Sequence, residues 1–187
     1  MFKRFIDILL AIALIIVFAI PAIIVGIFIK ISSPGGVFYV SRRIGRNGTI
    51  FLMPKFRTMS LEAPELATDE LKEPEKYITP LGKILRESSF DEVPQIISVL
   101  IGDMSFVGPR PALLKQKELN QRRAQLGIDR LTPGITGWAQ INGRDSIGLE
   151  QKVILDYVYL CKKNTFFDFQ ILTLTVFRIL SKKDINF

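Results

Sequence analysis

From Ile8 to Ile29 the chain runs for 22 residues without a charged side chain, as ILLAIALIIVFAIPAIIVGIFI. At about 1.5 Å per residue, a helix of that length reaches roughly 33 Å, enough to match the hydrocarbon core of a bilayer. The run is longer than the apolar stretch of a secretory signal and does not end in a small-residue cleavage pattern, so a retained membrane segment is expected. Lys3 and Arg4 precede it, and Lys30, Arg42, Arg43 and Arg46 follow it. Basic flanks favour the cytoplasmic side, and here both flanks are basic. A helix broken near Ile20 by Pro21, entering and leaving by one face, satisfies both flanks; a merely kinked span is the other common use of a membrane proline.

The remainder is long enough for one domain with its own core. The expected division is a membrane-anchoring re-entrant helix over residues 1–31 and a catalytic domain over residues 32–187. Lysine and arginine outnumber acids 25 to 18, a net charge of +7 that suits anionic partners such as phosphate groups, anionic lipid or nucleic acid. There is no histidine, which removes the commonest general base and zinc ligand, and one cysteine, Cys161, which excludes an intrachain disulfide. Without a histidine to activate it, Cys161 reads as a small buried apolar residue. Any catalysis rests on carboxylates and cations.

The pattern predicts an α+β fold, mostly helical with a short β-hairpin. GVFYV and TIFLM flank GRNG, so Gly36 to Met53 reads as a hairpin with the basic residues at its tip. EAPELATDELKEPEKYITP, residues 62–80, reads as a mobile surface loop. Helical patterns follow over Leu81 to Glu87, Pro94 to Ile101 and Pro111 to Leu126. Thr165 to Leu180, dense in Phe, Leu and Ile but short for a bilayer, reads as an interfacial amphipathic helix, with an ordinary core element as the alternative.

In SSFDEVPQ, residues 88–95, Asp91 and Glu92 stand side by side before Pro94. Taken alone, the octapeptide places Asp91 near the N-cap of a helix and leaves Glu92 in solvent. The neighbouring strings change its weight. GDMSFVGPRP holds Arg110 in a rigid Gly-Pro-Arg-Pro frame, and PGITGWAQINGR presents Arg144 after a second glycine-rich stretch. Arginines held rigidly suit phosphate recognition.

KFRTM (Lys55 to Met59), SSFDEVPQ, GDMSFVGPRP and PGITGWAQINGR, in this order behind a basic-flanked apolar segment, resemble the bacterial sugar transferase family of monotopic phosphoglycosyl transferases. The resemblance covers nearly the whole chain. It implies transfer of a sugar-1-phosphate from a UDP-sugar to polyprenyl (undecaprenyl) phosphate, with release of UMP, at the cytoplasmic face of the bacterial inner membrane and among its phospholipids. It implies Asp91 as nucleophile, Glu92 as its partner, and Mg²⁺ held at Asp91 and Glu92. Arg110 is then a phosphate ligand, with Lys55, Arg57, Arg86 and Arg144 as further contacts to diphosphate or lipid phosphate, and Gln140 and Asp156 also counted among the substrate- or phosphate-binding residues. Phe90 and Val93 stand where relatives commonly carry leucine, Met53-Pro54 precedes the Lys55 motif where an aromatic is usual, and Ile20 replaces a serine often found before the helix proline. These departures alter packing and leave the charges of the site intact. The competing class is a membrane-anchored, non-enzymatic basic module for anionic lipid or nucleic acid; no DNA- or RNA-recognition motif supports it, and no nucleic acid partner is expected.

Overall fold

The computed structural model describes residues 2–63, 74–143 and 147–181. Helix α1, Phe2–Ser32, is 31 residues long and continues through Pro21, so the missing amide bond there is accommodated without ending the helix. Its contacts follow one stripe. Asp7, Ala11 and Ile29 are buried, and Leu14, Ile15, Phe18, Ala22 and Val25 pack onto the same cores at three- and four-residue steps. The opposite face is apolar and exposed, with Ile16, Ile20, Ile23 and Ile31 all uncovered. One side of the helix thus packs on protein, and the other is apolar and exposed.

Strands β1, Phe38–Ile44, and β2, Ile50–Phe56, pair antiparallel from Phe38 opposite Phe56 to Ile44 opposite Ile50. The hairpin is as expected at its turn, where Asn47 and Gly48 take left-handed φ values of 55° and 75°. It runs further than the sequence pattern suggested, because β2 continues through Pro54. That proline is tolerated at the sheet edge, in the order β2-β1-β4. Helix α2, Pro80–Glu87, starts where Thr79 accepts a 2.9 Å bond from the Gly82 amide. Helix α3, Gln95–Ile101, ends at Gly102, which has φ 107°.

Next come β3, Ser105–Val107, and β4, Ala112–Leu113. Helix α4 covers only Lys117–Gln125, so the expected helix over Pro111 to Leu126 is corrected in its first third. Ala112 and Leu113 are extended because they pair with Ile44 and Arg43 of β1. Strand β5, Gly134–Thr136, lies parallel to β3 and is followed by α5, Trp138–Ile141, α6, Leu149–Lys162, and α7, Thr165–Ser181. The result is an α+β fold, mostly helical with small sheets. Most of the expected 62–80 loop lies outside the described residues. Cys161 is exposed, contrary to expectation, because α6 packs through Val153, Asp156 and Tyr159 and turns Cys161 away.

The largest core joins Ala11 of α1, Phe51 and Met53 of β2, and Val99, Phe106 and Ile171 from α3, β3 and α7. At its centre β3 and β5 approach backbone to backbone. A Cβ on Gly134 would overlap the Gly108 amide nitrogen, and one on Gly137 would overlap the Gly108 carbonyl oxygen. Neither neighbour is a flexible side chain that could give way. Gly134→Ala is therefore expected to cost about 3 kcal/mol, from forced overpacking. Thermal melting should fall by about 6–12 °C for a chain of this size, and an unchanged melting temperature contradicts the close approach.

Candidate active site

Asp91 and Glu92 sit on a 3₁₀ turn over Phe90–Glu92, immediately before α3. The turn is entered through Ser89 at φ 56°, ψ 16°, a left-handed conformation that costs a non-glycine residue of order 1 kcal/mol. Phe90 secures the turn, its ring edge-on to Phe18 of α1 at 5.7 Å and stacked on Phe56 of β2 at 6.2 Å. The N-cap of α3 is Pro94, so the expectation that Asp91 caps this helix is corrected. The extra turn moves Asp91 out of capping register, and its carboxylate is oriented for something else.

That something is a cluster of cations. Lys55, on β2, places its ammonium 2.6 Å from Glu92 Oε1 and 3.8 Å from Asp91 Oδ2. Arg110, just beyond β3, places Nη2 at 3.4 Å from the same Glu92 oxygen. Arg86, on α2, donates from Nε to Thr58 Oγ1 at 2.9 Å and lies within the field of Asp91. Burial lowers the pKa of its guanidinium, and the Asp91 charge opposes that fall. Asp91 itself is 9% exposed, so the pair is a largely desolvated anion site compensated by residues from three separate elements.

Arg110 is braced from behind. Its carbonyl accepts from Arg123 Nη1 at 2.9 Å, while Arg123 Nε and Nη2 grip Asp156 Oδ2 at 3.0 and 2.5 Å. Asp156 is 1% exposed; burial raises its pKa and the Arg123 charge counters that rise. Asp156 therefore stands behind the cluster, not in it. Arg57 is also elsewhere: its two terminal nitrogens bond the Pro34 and Ser33 carbonyls and the Ser33 hydroxyl at 2.6, 3.0 and 2.7 Å, closing the C-terminal end of α1. Gln140 donates to the Ile135 carbonyl at 2.9 Å, and its buried Oε1 has no hydrogen-bond partner among the described residues. Arg144 lies outside the described residues.

Two participants escaped sequence reading. Arg123 belongs to a strongly polar helix and gave no signal beyond the adjacent arginine pair. Arg43, on the central strand β1, bonds Ser41 Oγ at 3.1 Å and the Pro111 carbonyl at 3.4 Å, beside Arg110; only its place among basic hairpin residues marked it. Among the described residues no group of three or more Asp, Glu, Cys or His could hold a metal ion. Asp91 and Glu92 supply two adjacent carboxylates, a number that Mg²⁺ commonly takes when phosphate and water fill the rest of its octahedron.

Residues 1–182 match the family described as "Bacterial sugar transferase". The chain is 42% identical over 161 residues to "Uncharacterized sugar transferase EpsL" of Bacillus subtilis (strain 168), covering 84% of this chain and 76% of that protein. It is 34% identical over 183 residues to the UDP-glucose:undecaprenyl-phosphate glucose-1-phosphate transferase of Escherichia coli (strain K12), covering 94% of this chain but only 39% of that relative. It is also 34% identical over 191 residues to "Exopolysaccharide production protein ExoY" of Rhizobium meliloti (strain 1021), covering 94% of this chain and 84% of that protein.

The buried Asp156–Arg123 pair predicts a stability signature. Asp156→Leu leaves a guanidinium buried and uncompensated, and should cost about 3–5 kcal/mol. The double change Asp156→Leu with Arg123→Met removes both charges and should recover most of that loss in a melting experiment. If Asp156→Leu alone melts like the parent, the pair is not the brace described.

Proposed function

Because the chain belongs to the bacterial sugar transferase family, we propose that it transfers a sugar-1-phosphate from a UDP-sugar to undecaprenyl phosphate, with Asp91 as the nucleophile. The observation that carries this reading is the buried Asp91–Glu92 pair ringed by Lys55, Arg86 and Arg110. A carboxylate cannot approach a diphosphate until the phosphate charge is neutralised, and these cations are positioned to do that.

The donor's sugar-bearing phosphorus is attacked by an Asp91 oxygen. The bond to the bridging oxygen breaks, its electron pair leaves with UMP, and an aspartyl phosphosugar is formed. A phosphate oxygen of the lipid then attacks the same phosphorus and releases the Asp91 carboxylate. Glu92, bonded to Lys55, holds that ammonium beside the reacting oxygens and shares Arg110 with the substrate. Mg²⁺ bound at Asp91 and Glu92 would supply further neutralisation of the diphosphate. Arg57 and Asp156 support this machinery without touching the reacting atoms, Arg57 by closing α1 and Asp156 by bracing Arg110 through Arg123.

A lipid acceptor requires a membrane setting. Helix α1 is long and apolar enough to cross a bilayer. Its first turns bond α3 through Arg4, and its last packs on Phe56 and Leu85 through Ile29, so both ends meet one domain. A straight crossing would carry one end away from that domain. This supports an arrangement in which α1 enters and leaves by the cytoplasmic face of the inner membrane. The exposed Phe166, Phe169 and Phe177 of α7 support an interfacial placement for that helix. A purely basic binding module is not favoured, since it has no use for a desolvated carboxylate pair.

The test is a panel of UDP-sugars with undecaprenyl phosphate and Mg²⁺, read as UMP release. The parent should release UMP with at least one donor. Asp91→Asn, which preserves shape but not nucleophilicity, should lose about a thousandfold or more in turnover while melting normally. Full turnover in Asp91→Asn removes it from the nucleophile's role.

A further inference from the structure

Asp7 is the only acid of α1, and it is 6% exposed. A carboxylate in an otherwise apolar helix is costly in lipid and in a protein core alike, so its partners define its role. Among the described residues its two hydrogen-bond partners both belong to β3. Asp7 Oδ2 accepts from the Ser105 hydroxyl at 2.9 Å and Oδ1 accepts from the Phe106 amide at 3.2 Å. One residue further, the Val107 carbonyl accepts from the Tyr159 hydroxyl at 3.2 Å. That hydroxyl's single proton is shared with Asp168 Oδ1, the nearer acceptor at 2.7 Å, and Lys3 of α1 pairs with Asp168 at 2.6 Å. The strand that delivers Arg110 is therefore gripped along its length by groups on or tied to the first two turns of α1.

Arg4 does the corresponding work on the other side. Its Nη1 bonds the Val99 carbonyl at 2.5 Å and its Nη2 bonds the Leu100 carbonyl at 2.8 Å, closing the last turn of α3. That short helix begins directly after the Asp91–Glu92 turn. Arg4 and Asp7 lie three residues apart, on one face of one helix. A single turn of α1 thus holds two arms, one bearing the carboxylate pair and one bearing Arg110.

We infer that Arg4 and Asp7 are positioning residues of the active site, setting the separation between the Asp91–Glu92 turn and Arg110. An anchor alone has no use for Asp7: leucine there would partition into lipid better. What the carboxylate adds is a fixed seat for β3. The apolar helix is then a structural member of the catalytic centre, and loosening its first two turns loosens the geometry at the phosphate. This inference rests on the proposed transferase reaction for its kinetic arm only.

The test uses the full chain in lipid nanodiscs. Asp7→Ala should lower turnover by about ten- to a hundredfold, the cost of a small misplacement at a reacting centre. Asp7→Asn should keep most of it, since its amide can accept from Phe106 and donate to Ser105. In an Arg110→Lys background, Asp7→Ala should cost much less than it does alone, because the group it positions is already compromised. Amide hydrogen exchange over residues 105–110 should quicken about tenfold in Asp7→Ala, with α2 unchanged. Should Asp7→Ala yield too little folded protein, Ser105→Ala removes one of the two donors and should give the same local effect in weaker form. Unaltered exchange at 105–110, or an undiminished cost of Asp7→Ala beside Arg110→Lys, overturns the inference. If the parent releases no UMP from any donor, the transferase reading falls, and the exchange measurement still decides whether Asp7 seats β3.

Discussion

Two carboxylates on consecutive residues, largely shielded from water, repel each other and must be held by cations that cannot drift away. Glu92 shares one oxygen between Lys55 and Arg110, and Asp91 lies in the fields of Lys55 and Arg86. Those three cations come from β2, from the segment after β3 and from α2, so the fold must bring three distant stretches to one turn. Much of the architecture follows from that requirement. The hairpin carries Lys55 in, Thr58 orients Arg86, and the close backbone approach of β3 and β5 fixes the path into Arg110.

Rigid support continues outward from the site. Arg123 and Asp156 hold the Arg110 carbonyl, Phe18 and Phe56 enclose Phe90, and Arg57, directly after β2, fastens the end of α1 to the end of that strand. Each of these groups is tied to backbone or to a partner already fixed, which limits rotamer freedom where geometry matters. Helix α1 belongs to this scaffold as fully as the helices behind it. Its packed stripe and its exposed apolar face are two sides of one element, which is long and apolar enough to cross a membrane.

The parts of this arrangement that could be read from the sequence were those encoded locally. The hairpin was legible because Asn47-Gly48 favours left-handed backbone between β-branched runs, and α1 and α7 because long apolar stretches announce themselves. The β3–β5 pair was not, since strands of three residues far apart in sequence carry no periodicity of their own. Pro111 to Leu113 looked helical because its extended form depends on β1, a partner that the local pattern does not contain. At the site, Asp91, Glu92, Lys55, Arg86 and Arg110 were legible through their motif strings, and they do come together. Asp156 and Arg57 were read as phosphate-site residues, and their bonds run instead to Arg123 and to the Ser33–Pro34 segment, because a sequence shows a charge and not its partner. Arg123, Arg4 and Asp7 act through tertiary contacts to residues far away in sequence, and nothing local distinguishes them from ordinary surface or flanking charges.

The central claim is that an Asp91 oxygen bonds to phosphorus during turnover. Incubating the protein with a UDP-sugar donor in the absence of lipid acceptor, then weighing the intact chain and mapping the modified peptide, observes that bond directly. The account predicts a mass increase of one phosphosugar, located on the peptide containing Asp91 and discharged when undecaprenyl phosphate is added. An adduct on a different residue, or undiminished turnover with no adduct at any donor concentration, would contradict it.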